Sequence, residues 1–223
     1  MSAPEAYVFF QVSSREAEKA FAFHQSLSDD HIWPRTREEV DKFCRDGEFF
    51  GVRKQSSGEY VGLCYVHLDG AVWELGGITV SETARGLWIG SVLTNLALAH
   101  TIANQSPWSN QQEIIAHVHE ENQSPRGLLE RAGFKFLGEK TVIPDEIAQT
   151  VPSMKRNKDG KIVGDKFQFP QAEVARLAKW LCDDFSGTLG DGVSQAVFDN
   201  IGPGGLNALQ DAIRAARDDF ASK

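Results

Sequence analysis

A carboxylate, a glycine-bearing turn, a pair of histidines and an asparagine have types and spacings that could do chemistry. Glu74 lies in an apolar, β-branched and aromatic run, residues 71 to 80, where a carboxylate between Trp73 and Leu75 could accept a proton. Beyond it, Arg85-Gly86-Leu87-Trp88-Ile89-Gly90 opens a segment in which Ile89, Val92, Leu93, Leu96, Ala99 and Ala103 fall on one helical face. A helix starting there presents its first amides without partners, with little side-chain bulk around two of them, which outlines an anion site. His117 and His119, two apart on a predicted strand, share a face and could deprotonate a substrate. As metal ligands they lack companions. Asn122 stands where it can cap the short helix that follows. The competing readings are a strand glutamate facing solvent and two structural histidines.

These residues need a strand, a turn and a long helix to position them. Residues 71–80 read as the strand, Ser81-Glu82-Thr83 as polar turn chemistry, and Ile89 to Gln105 as the helix. Upstream, Tyr7–Val12 reads as a strand, and Ser13 or Ser14 precedes a helix through about Gln25. Ser26 to Thr36 reads as a loop. Thr36 caps a second helix with Glu38 and Glu39 in its first turn, and Gly47 ends it. Phe49–Arg53 and Tyr60–Leu68 form a hairpin, and Asp69-Gly70 turns into the strand that carries Glu74. Downstream come a strand at Glu113–His119, a helix at Asn122–Arg131 closed by Gly133, and a strand at Phe134–Val142. The predicted order is that of a mixed α/β (α+β) domain whose sheet is antiparallel early and changes partner after the long helix.

Composition narrows the function classes. At 41% hydrophobic and 24% charged, and without an apolar run of about twenty residues, the chain reads as a soluble globular protein with no membrane partner. A formal charge of -8 argues against wide, nonspecific nucleic-acid binding and is compatible with a cationic substrate. Cys44, Cys64 and Cys182 are odd in number and lack CxxC spacing, which suggests reduced thiols in a cytoplasm. No secretion signal is evident at the N-terminus.

Two blocks carry a resemblance. Ile78-Thr79-Val80 followed by Arg85-Gly86-Leu87-Trp88-Ile89-Gly90 resembles the strand, Arg/Gln-x-x-Gly-x-Gly/Ala and helix of the GCN5-related N-acetyltransferase (GNAT) superfamily. Asn122 through Gly133-Phe134 is similar to that family's second block, in the right order and separation. The likeness spans roughly residues 5 to 143. It implies an acyl-CoA N-acyltransferase-like central mixed sheet flanked by helices, with acetyl-coenzyme A as co-substrate. It also implies that the amides of Leu87, Ile89, Gly90 and Ser91 hold the pyrophosphate, that the backbone of Ile78, Thr79 and Val80 pairs with the pantetheine arm, and that Asn122 contacts that arm. Arg85, Gly86 and Trp88 belong to the same cofactor-binding stretch. Trp88 departs from the pattern, since the family has glycine there, and Leu129 stands where the family often has a tyrosine that protonates the leaving thiolate. A thiolate of pKa near about 8.5 is a tolerable leaving group without it.

Glu74 lies eleven residues before Arg85, the offset at which members resembling histone acetyltransferases place their general base. An alkyl amine of pKa about 10.4 must lose its proton before attack, a cost of roughly 4 to 5 kcal/mol at neutral pH. Glu74 and His119 are therefore the candidate catalytic residues, with His117 beside them. The expected activity is direct acetyl transfer to a primary amine of a small molecule or protein. A non-catalytic acyl-CoA-binding or regulatory module is the alternative, favoured by Trp88 and Leu129, and a longer acyl donor is a third reading. Proteins of this type commonly dimerise, so a homodimer is an expectation that no stretch of sequence specifies.

The end of the chain is not predicted by the resemblance. Pro144–Pro152 reads as an irregular loop, Asp159-Gly160 as a hairpin turn in a basic cluster, and Phe167–Phe169 as a last strand. Two apolar stripes, Val174-Leu177-Ala178-Leu181-Phe185 and Leu206-Leu209-Ile213-Ala216-Phe220, flank the breaker Gly202-Pro203-Gly204-Gly205. Residues 1–169 are expected to form the acetyltransferase domain and 170–223 a helical extension packed on it.

Overall fold

The computed structural model describes residues 4–27 and 31–221. Its elements, in chain order, are β1 (Ala6–Gln11), α1 (Ala17–Ser26), α2 (Arg37–Asp46), β2 (Phe49–Lys54), β3 (Tyr60–Asp69), β4 (Val72–Val80), α3 (Ile89–Gln105), β5 (Glu113–His119), α4 (Gln123–Ala132), β6 (Lys135–Val142), α5 (Asp145–Ala148), β7 (Val163–Phe169), α6 (Val174–Lys179), β8 (Gln195–Asp199) and α7 (Gly205–Ala221). One sheet takes the strands in the order β6-β7-β5-β4-β3-β2-β1-β8. Pairing is antiparallel from β1 through β4, parallel between β4 and β5, and antiparallel again through β7 to β6. The fold class is therefore the mixed α/β sheet flanked by helices that the sequence predicts.

Two cores separate the helices onto opposite faces. Val92, Leu93 and Leu96 of α3 pack with Leu177 of α6 and Ile213 of α7 on one face. Ala17 and Ala20 of α1 pack with Val40 and Phe43 of α2 on the other. Helix α2 begins with a reciprocal cap: Thr36 Oγ1 accepts from the Glu39 amide at 3.2 Å, and Glu39 Oε2 accepts from the Thr36 amide at 2.7 Å. Gly47, at φ 75°, supplies the left-handed residue that stops it. Helix α1 starts later than Ser13 or Ser14 would place it. A turn closed by the Glu16 amide on the Ser13 carbonyl intervenes, and the Glu16 carboxylate is taken by Arg53 at 2.9 Å.

Two segments differ from expectation. Residues 144–152 contain the single turn α5 and, with Met154, Ile162, Ile143 and Trp33, make a small apolar cluster of their own. The C-terminal extension is helical at α6 and α7 but also contains an irregular stretch, 185–194, and β8, which adds a parallel strand beside β1. Its alternation is only five residues long and half exposed, so periodicity gives it no weight. Strand β7 also begins earlier than Phe167, at Val163, and inserts between β5 and β6. Of the 26–36 loop, residues 28–30 lie outside the described residues. No described helix is long and apolar enough to cross a membrane.

His100 of α3 is held between the Phe50 ring, 5.2 Å away, and Gly202 before α7. Burial pushes its pKa from 6.5 down to about 4. An unfolded chain takes up this proton at higher pH than the folded one, so stability falls as pH drops from about 6.5 towards 4. The loss from this group should reach about 2 kcal/mol by pH 5. Urea unfolding at pH 7 and pH 5 should show a smaller pH-dependent loss for His100→Gln than for the parent, and identical losses would remove His100 from the account.

Candidate active site

Strands β4 and β5 are hydrogen-bonded neighbours only from Val72/Glu113 to Leu75/Ala116. Past Leu75, β4 keeps β3 as its one partner, while β5 continues to His119 against β7. A cleft of about 880 Å³ opens where they part. Between Leu63/Thr79 and Tyr65/Gly76 the register slips by one residue, so β4 carries a bulge. Gly77 takes φ 59° there, and a Cβ on Gly76 would lie 2.5 Å from the Tyr65 hydroxyl oxygen while one on Gly77 would overlap the Tyr65 ring. Both positions therefore require glycine. The bulge, floored by Tyr65, leaves one edge of Gly76–Val80 facing the cleft without a neighbouring strand.

Glu74 lies at the fork. His117 Nδ1 is 2.9 Å from Glu74 Oε1, and since a carboxylate only accepts, Nδ1 carries the proton. His117 Nε2 is 3.1 Å from Thr141 Oγ1 of β6, giving a chain from carboxylate to imidazole to hydroxyl. Burial on its own would raise the Glu74 carboxyl, but the bond from His117, that ring's own charge and the Arg35 guanidinium outweigh it and hold the group below the usual carboxylate range. Arg35 Nε and Nη2 donate to Tyr65 Oη at 3.0 and 2.7 Å, and its Nη1 donates to Glu39 at 2.9 Å.

His119 is placed differently from His117. Its Nδ1 accepts from the Glu121 amide at 3.3 Å, so its Nε2 donates to the Lys155 carbonyl at 2.9 Å. Both nitrogens of this buried ring face backbone partners. The imidazole in contact with Glu74 is His117, while His119 is held by backbone groups at the cleft wall.

The other end of the cleft is the turn into α3. Gly86 at φ 82° and Trp88 at φ 62° are both left-handed, and Trp88 makes no side-chain cap. The first backbone donor into the helix is Val92, to the Trp88 carbonyl at 3.0 Å. Among the described residues, the amides of Leu87, Trp88, Ile89, Gly90 and Ser91 have no acceptor besides solvent. Unpaired amides at the start of a 17-residue helix fit a pyrophosphate. Gly90 is small because Leu128 of α4 lies against it, 2.8 Å from where a Cβ would stand. The Trp88 ring, 67% exposed, packs on Gly190, whose amide donates to the Leu87 carbonyl at 3.2 Å. Its bulk is thus turned towards the C-terminal segment. Arg85 is exposed, 3.6 Å from Glu82. Asn122 occupies the N-cap of α4, yet its side chain makes no capping bond and lines the cleft. Ile78, Thr79 and Val80 line the same wall, and Leu129 is buried.

A family model described as "Acetyltransferase (GNAT) family" matches residues 20–134. The chain belongs to the GNAT acetyltransferase family. Solved structures of the same fold include an acetyltransferase of the GNAT family from Streptococcus pneumoniae, at 16% identity and TM-score 0.52, covering 73% of this chain and 98% of that one. Another is the diaminobutyrate acetyltransferase EctA from Paenibacillus lautus, at 12% identity and TM-score 0.53, covering 74% and 96%. NAA60 from Arabidopsis thaliana is similar at 13% identity and TM-score 0.52, covering 74% and 97%. No curated protein matches. The GNAT match ends at Phe134, so β6, β7 and everything beyond lie outside it.

The cleft residues that the sequence reading did not single out include Arg35, His67, Asp69 and Thr141. For two of them a signal existed. A two-residue turn at Gly70-Ala71 pairs Asp69 with Val72, and counting back sets His67 opposite Glu74. Thr141 had none, because it reaches His117 only once β7 separates β6 from β5.

The glycine requirement at the bulge is measurable. Gly77→Ala should cost at least about 2 kcal/mol of stability, from the left-handed backbone and the Tyr65 overlap together. Gly58, at φ 71° with nothing within 4 Å, provides the control in which only the backbone cost applies. Equal losses at Gly58→Ala and Gly77→Ala in urea melts would mean that Tyr65 does not enforce the bulge.

Proposed function

We propose that this protein is an acetyl-coenzyme A-dependent N-acetyltransferase that passes the acetyl group directly to a primary amine of a small molecule or protein. The observation that carries the reading is the Glu74–His117 pair, 2.9 Å apart, at the fork of the cleft that also contains the unpaired amides of the α3 turn. Acetyl-coenzyme A, when bound, supplies the activated acyl group. In this reading the amides of Leu87 to Ser91 bind its pyrophosphate, the open edge of Ile78, Thr79 and Val80 pairs with its pantetheine arm, and Asn122 reaches the same arm. An amide of the β4 bulge polarises the thioester carbonyl. Glu74 takes the proton of the attacking amine, and His117, bonded to Thr141, holds that carboxylate in place and shares the charge. Among the solved structures of the same fold, EctA was solved with L-2,4-diaminobutyric acid and coenzyme A, which supports an amine acceptor here.

Residues 1–169 are proposed as the catalytic domain and 170–223 as an extension that braces the anion-binding turn through Gly190. A binding module without catalysis is the second reading, favoured by Leu129 in place of a thiolate-protonating side chain. Thiol release over a panel of amines separates the two. Glu74→Gln should lower kcat by about 10²–10⁴-fold while leaving acetyl-coenzyme A affinity unchanged. Because the Glu74 carboxyl is held low, the base stays ionised at neutral pH and kcat should fall only at acid pH, as that carboxylate takes up a proton. Tight cofactor binding with no turnover on any amine would leave only the binding module.

A further inference from the structure

We propose that His67, Asp69 and Glu74 form a cage that holds the acceptor nitrogen in its protonated state, so that this site takes primary alkylammonium ions. The proposal rests on Glu74 as the base and gives a role to two residues that have none so far. His67 is the cross-strand partner of Glu74, and Asp69 follows it two residues on, on the same face of β3. One ligand atom from each of the three lies within 4.8 Å of the other two. Any three atoms that close admit a centre no farther than about 2.8 Å from each, which is the length of a charge-assisted hydrogen bond. A primary ammonium carries three donors and no acceptor, so a single such group at that centre satisfies all three.

His67 supplies what two neighbouring carboxylates alone would not. It is 8% exposed, it lines the cleft, and its Nδ1 is buried without a hydrogen-bond partner. Burial first, then the charge of Arg35, holds the ring below the usual histidine range, so at neutral pH it is uncharged and offers a lone pair. Asp69, at the rim, makes no hydrogen bond or ion pair among the described residues. Arg35, at the same end of the cleft, is occupied by Glu39 and Tyr65. A bound alkylammonium donates one N–H to each corner. The proton on the Glu74 bond passes to that carboxylate, and the nitrogen keeps its lone pair for attack. A secondary ammonium or an alcohol brings too few donors and leaves a corner unpaired, which is costly for a buried nitrogen.

The test is an NMR titration of the His67 ring signals in the full chain, with n-butylammonium chloride as probe and N-methylbutylammonium chloride, butanol and zinc chloride for comparison. Saturable shifts are expected with n-butylammonium, at least tenfold weaker binding of the secondary amine and the alcohol, and at least a tenfold loss in Asp69→Asn, an exposed position whose variant should melt like the parent. In turnover, Asp69→Asn should raise the acceptor KM at least tenfold with kcat nearly kept. No saturable shift with n-butylammonium, equal affinity for butanol, an unchanged KM in Asp69→Asn, or zinc binding that n-butylammonium cannot displace would overturn the cage. Saturable ammonium binding in a protein that acetylates no amine would support the cage and sink the enzyme reading instead.

Discussion

Strand β4 loses one neighbour half-way along its length, and the site depends on that loss. Up to Leu75 its backbone is paired on both sides, which fixes Glu74 in position; beyond it the edge towards β5 is open. An open strand edge inside a protein must be satisfied by something, because unpaired buried peptide groups are expensive. Here the bulge at Gly77, with the Tyr65 ring packed on it, keeps the edge turned to the cleft. Tyr65 in turn bonds Arg35, which bonds Glu39 of the α2 cap, so the shape of the fork is tied back to a helix on the opposite side of the pocket.

The electrostatics of the fork follow from a contest between burial and charge. Burial would keep both Glu74 and His67 neutral, and it wins at His67 because Arg35 acts in the same direction. At Glu74 it loses, because a bonded imidazole and nearby cations favour the anion. The outcome is an ionised carboxylate next to an uncharged imidazole, two acceptors of different basicity on facing strands. His119, two residues along the same strand from His117, is engaged instead by two backbone groups.

Where sequence expectation succeeded, the signals were local. The Thr36 cap, the Gly47 stop and the helical face of α3 are all set within a few residues, and the hairpin expected at Asp69-Gly70 is there with its two central residues one place on, at Gly70-Ala71. The Arg85–Gly90 turn and Asn122 could be located in the same way, since each belongs to the start of a helix. Sequence alone could not choose between His117 and His119, because they share a face and differ only in what β6, β7 and the 144–162 segment bring to them. Thr141 and β8 depend on strand order, which is a long-range property. Trp88 was the doubtful position of the turn, and its explanation lies a hundred residues away, at Gly190.

Strand β8 has a consequence for how the chain is made. It lies parallel to β1 across a separation of about 190 residues, the kind of contact that forms slowly and late. A chain emerging from the ribosome must therefore leave the β1 edge bare until β8 has been made. The loop that reaches Leu87 and Trp88 belongs to the same late segment. The anion-binding turn thus acquires its final support only after that segment has been made, so a nascent chain would have its carboxylate strand in place before its cradle was braced.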